Sequence, residues 1–241
     1  MAARPPDRKA STFLALRATD AVEEMDKPDC DPAMLRRTYA QFPLINRAVS
    51  GWHGIYRRLL RPRLAGLEAP TLLDIGSGGG DVPRLLARLA ARDGLDLRIT
   101  AIDPDPRAHA FAVSRPQSPG LEFRQAFSSE LVAEGRSFDA VVSNHLLHHL
   151  AAAELAGLLA DSQRLSRALA VHSDIIRSRT AYVLFAAGTL PFFHRSFIRR
   201  DGLTSIRRSY TPEELRAAVP PDWRVLPDSR FRQLLIHETD A

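Results

Sequence analysis

At 241 residues, with 45% hydrophobic and 25% charged residues, the chain suits one α/β domain with an appendage and has no need of a second core. A single cysteine, Cys30, excludes an internal disulfide framework and fits a reducing compartment; no run reaches the roughly 18–20 apolar residues of a membrane span, so the expected place is the cytoplasm. The net charge of +5 sets 33 basic against 28 acidic residues. The basic ones are nearly all arginine, since lysine occurs only at Lys9 and Lys27, and their spread over the whole chain, with local clusters but no aromatic–basic interleaving, argues against a nucleic-acid partner.

Residues 1–30 are polar, contain Pro5, Pro6 and Pro28 and carry the acidic patch Glu23, Glu24 and Asp26, which reads as a flexible N-terminal segment. Asp31-Pro32 has the form of a helix N-cap followed by proline at the first helical position. From there Leu35, Tyr39, Phe42, Ile45, Val49, Trp52, Ile55 and Leu59 recur at three- and four-residue steps, predicting one or two amphipathic helices broken near Pro43 or Gly51. This N-terminal helical extension, 31–66, either covers a ligand cleft or packs on the sheet as plain core.

The stretch 71–86, TLLDIGSGGGDVPRLL, reads as a buried strand Thr71–Ile75, a glycine turn Gly76–Gly80 and a helix from Asp81 onward. Glycines between a strand and a helix let a ligand approach the backbone and leave amide N–H groups free at the helix start. A dinucleotide fingerprint would place a third glycine where Asp81 stands, and a P-loop would need Lys-Ser/Thr after the glycines. Asp74 and Asp81 would repel a pyrophosphate by about 1 kcal/mol or more per close pair, whereas they attract an ammonium or a sulfonium. S-adenosylmethionine carries both, and is the expected cofactor. The stretch also resembles motif I of the class I S-adenosylmethionine-dependent methyltransferases, hh[DE]hGxGxG, with Asp74, Gly76, Gly78 and Gly80 on its acidic and glycine positions and Asp81 on the acid that often follows.

Further on, Val82–Arg92 is a predicted helix ended by Asp93-Gly94, and 97–102 a strand closing in Asp103-Pro104. An acid at the end of the second strand is placed to accept ribose hydroxyls, and Asp103 could also cap a helix over 104–113. Strands are predicted at 121–125, 138–143 and 168–173, with helices at 129–134 and 152–165 between them, and Thr211 with Glu214 forms a capping box. Two final strands, 223–226 and 232–237, lie close enough to pair antiparallel. Alternating strands and helices give a doubly wound α/β fold with a mostly parallel sheet. The resemblance implies the class I methyltransferase version, Rossmann-like with a C-terminal antiparallel hairpin, over 67–241.

Residues 138–150, FDAVVSNHLLHHL, look like motif IV of the small-molecule methyltransferases. Asn144 and His145 then lie in the crevice beside the first strand, near the methyl group. A histidine near pH 6.5 can take a phenolic proton, so His145 or His148 is the candidate base. A metal site is not expected, because consecutive His148 and His149 diverge on a helix. One departure concerns adenine: the acid that family members often place after the third strand is replaced by Phe127, leaving Ser128, backbone groups and apolar packing by Phe127 for adenine, while Pro104 is a further expected cofactor contact. The apolar insertion 176–210 is expected to line the acceptor site, with Tyr39, Trp52, His149, Phe192 and Arg207 as acceptor-facing residues; equally it could be a core helix or a dimer face, which leaves a homodimer open.

The outer motifs, DG at 201–202 with Ser205, Arg207 and Arg208, then 210–215, and the stretches 23–32 and 37–52, resemble bacterial methyltransferases found with type III polyketide synthases that act on phenolic lipids. The implied activity is O-methylation of a small apolar phenol of polyketide type. C-methylation of a quinone ring and a non-catalytic partner that only binds the cofactor are the alternatives.

Overall fold

The computed structural model describes residues 13–190, 193 and 195–239. Its centre is a seven-stranded sheet. Five parallel strands, β1 (Thr71–Ile75), β2 (Arg98–Ile102), β3 (Leu121–Arg124), β4 (Phe138–Asn144) and β5 (Ser166–Ile175), are joined by helices, and β6 (Arg224–Ser229) and β7 (Arg232–Glu238) close the chain. The order across the sheet is β3-β2-β1-β4-β5-β7-β6, with β7 antiparallel to both β5 and β6. Connections run outward from β1 to β3 and then return to β4, so the crevice at the switch point opens beyond the carboxyl ends of β1 and β4.

Strand residues alternate between two faces, and the core divides accordingly. Leu72, Ile99, Val142 and Val171 pack on one side against α2 (Asp81–Arg92) and the helical stretch 52–64. Leu73, Val141, Ala170 and Leu235 pack on the other against α5 (Ala152–Leu165) and Trp223. Between the strands, α3 (Pro106–Val113) and α4 (Ser128–Ala133) complete the alternation. Asp105, not Asp103, caps α3, its side chain accepting from Arg107 N. That leaves Asp103 outside the helix.

The N-terminal extension plays both expected parts in different segments. Helix α1 (Pro32–Val49), capped by Asp31, runs through Pro43 without a break and lines the crevice with Tyr39, Phe42 and Asn46. The break falls at Gly51, whose φ of +68° is left-handed and whose missing Cβ leaves room for the Arg232 guanidinium. Beyond it, Trp52, Ile55 and Tyr56 are core. The expectation of a flexible segment over 1–30 does not hold for residues 13–30. Ala18 N donates to Arg207 O, Arg177 donates to the carbonyls of Leu14 and Ala15, and Asp201 accepts both Glu24 N and Met25 N. Those partners sit in the insertion after β5, where α6 (Arg179–Thr189) and α7 (Ile198–Arg208) form before the capped α8 (Pro212–Ala218). Among the described residues no helix is long and apolar enough to cross a membrane.

Candidate active site

β1 delivers the chain into a loop in which Gly76, Gly78 and Gly80 all have left-handed φ, +70°, +53° and +78°. Gly76 N and Ser77 N both donate to Ile102 O, tying the loop to the end of β2. Nothing lies within 4 Å of the position a Gly78 Cβ would occupy, and Gly78 lines the open cavity. Gly80 differs. Its Cβ would stand 2.6 Å from the Phe123 ring, and Gly80 does not face the cavity, so its role is helix–sheet packing rather than ligand contact.

Three carboxylates surround this loop. Asp74 is 1% exposed and its Oδ2 has no hydrogen-bond partner. Asp81 accepts from Asn46 Nδ2 at 2.8 Å, and Asp103 accepts Gly78 N at 2.8 Å and Asp105 N at 2.9 Å. Burial pushes all three above the ordinary carboxylate range, and for Asp74 the charges of Asp81 and Asp103 add to the shift. This end of the cavity favours a cation with hydrogen-bond donors.

Beyond β4 the backbone turns sharply at His145 (φ +55°), and a single 3₁₀ turn, Leu147–His149, follows. Burial lowers His145 to about 4, so its ring is neutral. His148 is 1% exposed; its Nδ1 lies 2.7 Å from Asp174 Oδ1, and its own N–H donates to Asp174 Oδ2 at 2.9 Å. Burial works against a charged His148, but Asp174 and Glu23 outweigh it and raise it to about 9. Burial would likewise raise Glu23, yet the hydrogen bond and charge of the two histidines bring it to about 2. The expected divergence of His148 and His149 is corrected: on a tight turn their rings lie 4.3 Å apart, inclined by 35°.

The third part of the cavity is apolar. Leu184 and Phe185 of α6, Ile198 and Ile206 of α7, and Phe231 line it, and the whole space encloses about 800 Å³. Among the sequence candidates, Asp74, Gly76, Gly78, Asp81, Asp103, Pro104, Asn144, His145, His148, His149 and Tyr39 share this cavity. Four others do not. Phe127 is 61% exposed at the start of α4, and Ser128 donates to Asp161 on α5, so neither forms the cavity wall expected for adenine. Trp52 is fully buried and its indole donates to Asn144 Oδ1 at 2.9 Å, which makes it a support for Asn144. Arg207 lies over the Phe13 ring, while its neighbour Arg208 faces the cavity and donates to the carbonyls of Ala21, His148 and His149. Phe192 lies outside the described residues. Sequence reasoning missed Asp174 and Glu23. Asp174 was findable as an acid at the carboxyl end of β5, and Glu23 stood in an acidic patch assigned to a flexible segment.

Residues 72–168 match the family described as a methyltransferase domain. The fold built around that stretch is that of the class I methyltransferases. A ubiquinone biosynthesis O-methyltransferase of Methylobacterium sp. (strain 4-46) is 31% identical over 170 residues, 69% of this chain and 63% of that one. A demethylmenaquinone methyltransferase of Chlorobaculum tepidum is 27% identical over 90 residues, 37% of this chain and 34% of the relative. The chain thus spans less than two thirds of the length of these relatives. In fold, the chain is similar to the plantazolicin methyltransferase BpumL, solved with a desmethylPZN analog and SAH, at TM-score 0.54 and 12% identity over 86% of this chain and 97% of that one. A SAM-dependent methyltransferase from Aquifex aeolicus superposes with a TM-score of 0.51 at 14% identity over 86% of this chain and 97% of that one.

Proposed function

We propose that the chain transfers a methyl group from S-adenosylmethionine to a hydroxyl oxygen of a small, largely apolar aromatic acceptor, with a polyketide-type phenol the first class to test. One observation carries this reading: a single cavity joins an acidic, glycine-lined end to an apolar end, with histidines between them. The acidic end fits the donor on its own chemistry. The unpartnered, buried Asp74 Oδ2 calls for a cationic donor such as an ammonium, and the open space at Gly78 admits a ligand against the backbone.

When bound, S-adenosylmethionine supplies an electrophilic methyl group on a sulfonium. Asp74 and Asp81 hold and orient the ammonium end, Gly76 and Gly78 leave room for the methionine moiety, and Asp103 offers its carboxylate to the ribose. Asn144, fixed by Trp52, lines the wall between β1 and β4. The apolar residues of α6 and α7 exclude water and press the acceptor ring into place, so catalysis rests mainly on holding oxygen, carbon and sulfur in line. Toward the acceptor hydroxyl the chain presents His145, whose ring is neutral and can meet its proton, with His148, held by Asp174, and His149 beside it to orient the oxygen.

A quinone-type acceptor, ring carbon included, is the second reading. The relatives named ubiquinone biosynthesis O-methyltransferase and demethylmenaquinone methyltransferase favour it. Incubation with isotope-labelled S-adenosylmethionine and a panel of phenols and hydroquinones, read by mass spectrometry, tests both. A methoxy product is expected; a ring-methyl product would move the assignment to carbon. Absence of S-adenosylhomocysteine binding by calorimetry would overturn the donor assignment.

A further inference from the structure

Residues on the N-terminal segment and on the turn after β4 converge at the cavity wall. His148 Nε2 lies 3.5 Å from Glu23 Oε1, and His149 Nε2 lies 3.7 Å from the same oxygen. The three donor atoms all fall within 4.8 Å of one another. We propose that Glu23, His148 and His149 form a binding site for a first-row divalent transition-metal ion, with one coordination position open to the cavity.

The spacing is close to what such an ion imposes. Donors held about 2.0–2.1 Å from a tetrahedral ion stand about 3.4 Å apart, so small side-chain shifts bring these three into range. Each histidine also has its far nitrogen held by a carboxylate, His148 Nδ1 by Asp174 at 2.7 Å and His149 Nδ1 by Asp26 at 3.1 Å. In that arrangement Nδ1–H donates to the carboxylate, which fixes the tautomer and turns the Nε2 lone pair toward the ion. Glu23 is oriented in turn by Ser205, whose hydroxyl donates to Oε1 at 2.7 Å.

A second observation points to a ligand. His148 is almost wholly buried, yet its Nε2 meets only the Glu23 carboxylate, at 3.5 Å, and has no closer hydrogen-bond partner. His149 is 26% exposed on its side chain and lines the cavity with Glu23 and His148, which supplies the open side. Two imidazole nitrogens with one carboxylate suit Zn²⁺, Fe²⁺ or Co²⁺, whereas Mg²⁺ and Ca²⁺ prefer all-oxygen sets. Of the surrounding charges, Asp26 and Asp174 add to the attraction, and Arg208 is committed to the carbonyls of Ala21, His148 and His149. Resting on the methyl-transfer reading, the role of the ion is to take the acceptor hydroxyl as its fourth ligand. The proton then passes to His145, which lines the same cavity and is not a ligand, and an oxygen lone pair stays free for the methyl group.

The test uses the tag-free 241-residue chain, dialysed against chelator. Titration with Zn²⁺ by calorimetry should give one equivalent per chain, and Co²⁺ should produce the visible absorption of a four-coordinate ion. Glu23→Gln and His149→Gln should each weaken Zn²⁺ binding at least tenfold. His149→Gln alters a partly exposed residue, so it remains informative if a His148 variant fails to fold. S-adenosylhomocysteine affinity, measured on the same samples, should not change in either. No stoichiometric Zn²⁺ uptake, or uptake unaltered in both variants, overturns the site. Methyl transfer that survives complete chelation overturns the role while leaving the proposed function standing. Zn²⁺ uptake without S-adenosylhomocysteine binding leaves the metal site and removes the methyl-transfer reading.

Discussion

Asp103 Oδ2 accepts the backbone N–H of Gly78 at 2.8 Å, so the carboxylate at the end of β2 also fixes the glycine loop at the end of β1. Both strands contribute one wall to the ligand end, and this bond holds the walls at a set separation. Asp103→Ala removes a charged hydrogen-bond acceptor from the ligand and from the loop together. Calorimetric S-adenosylhomocysteine affinity should fall by about 1–3 kcal/mol, the order for losing hydrogen bonds to a charged group. Unchanged affinity would refute the ribose assignment.

Asp74 presents the opposite balance between stability and binding. Its carboxyl is buried with one unpartnered oxygen beside two other acids, which raises its folded pKa well above 3.8. The folded ligand-free protein therefore holds a proton that the unfolded chain gives up. Stability from this group is present below the unfolded pKa and is lost as pH rises through the folded one. Asp74→Asn should flatten the decline of ligand-free thermal stability with rising pH while weakening S-adenosylhomocysteine binding by about 1–3 kcal/mol. Thermal melts across pH, with and without ligand, measure both effects. A variant that binds as tightly as the parent would exclude contact between Asp74 and the ammonium.

The glycines of the loop should separate by function. Gly80→Ala places a methyl group in the Phe123 ring and at a left-handed φ of +78°, so it should destabilise the fold by about 1–3 kcal/mol. Gly78→Ala, at φ +53° with open space before it, carries a left-handed penalty of only about 1–2 kcal/mol, but its methyl enters the cavity. Denaturant melts should rank Gly80→Ala as the less stable, and calorimetry should rank Gly78→Ala as the weaker binder. The reverse order in either measurement would reassign these glycines.

The parts of the fold legible in the sequence are those set by local rules. The predicted β1 bounds, Thr71–Ile75, and the Thr211–Glu214 capping box appear as read, because apolar alternation and cap chemistry act over a few residues. Long-range packing decided the rest. The polar segment 13–30 is ordered because Arg177, Asp201 and Arg208, far along the chain, satisfy its backbone groups. Trp52 fits the helical period equally as core or as cavity wall, and only the sheet beneath it decides for core. His148 and His149 approach because the chain makes one 3₁₀ turn before Leu150 and does not continue as an α-helix.

His172 gives the pH response of the core. It is fully buried on β5, bonded to Ser143 Oγ through Nδ1 at 2.8 Å and stacked on Trp223, and burial lowers it to about 3. The nearby Asp174 opposes that shift without overcoming it. Unfolding exposes an imidazole that titrates near 6.5, so between about 3 and 6.5 the unfolded chain binds the extra proton. This contribution is complete above pH 6.5 and is lost as pH falls, at up to about 1.4 kcal/mol per pH unit. His172→Asn keeps a polar atom for Ser143 but removes the titration and the stacking. The variant should be less stable at pH 7.5, and the gap to the parent should narrow steadily toward pH 4.5 in denaturant melts. Parallel stability profiles would mean that His172 is not the residue whose protonation accompanies acid unfolding.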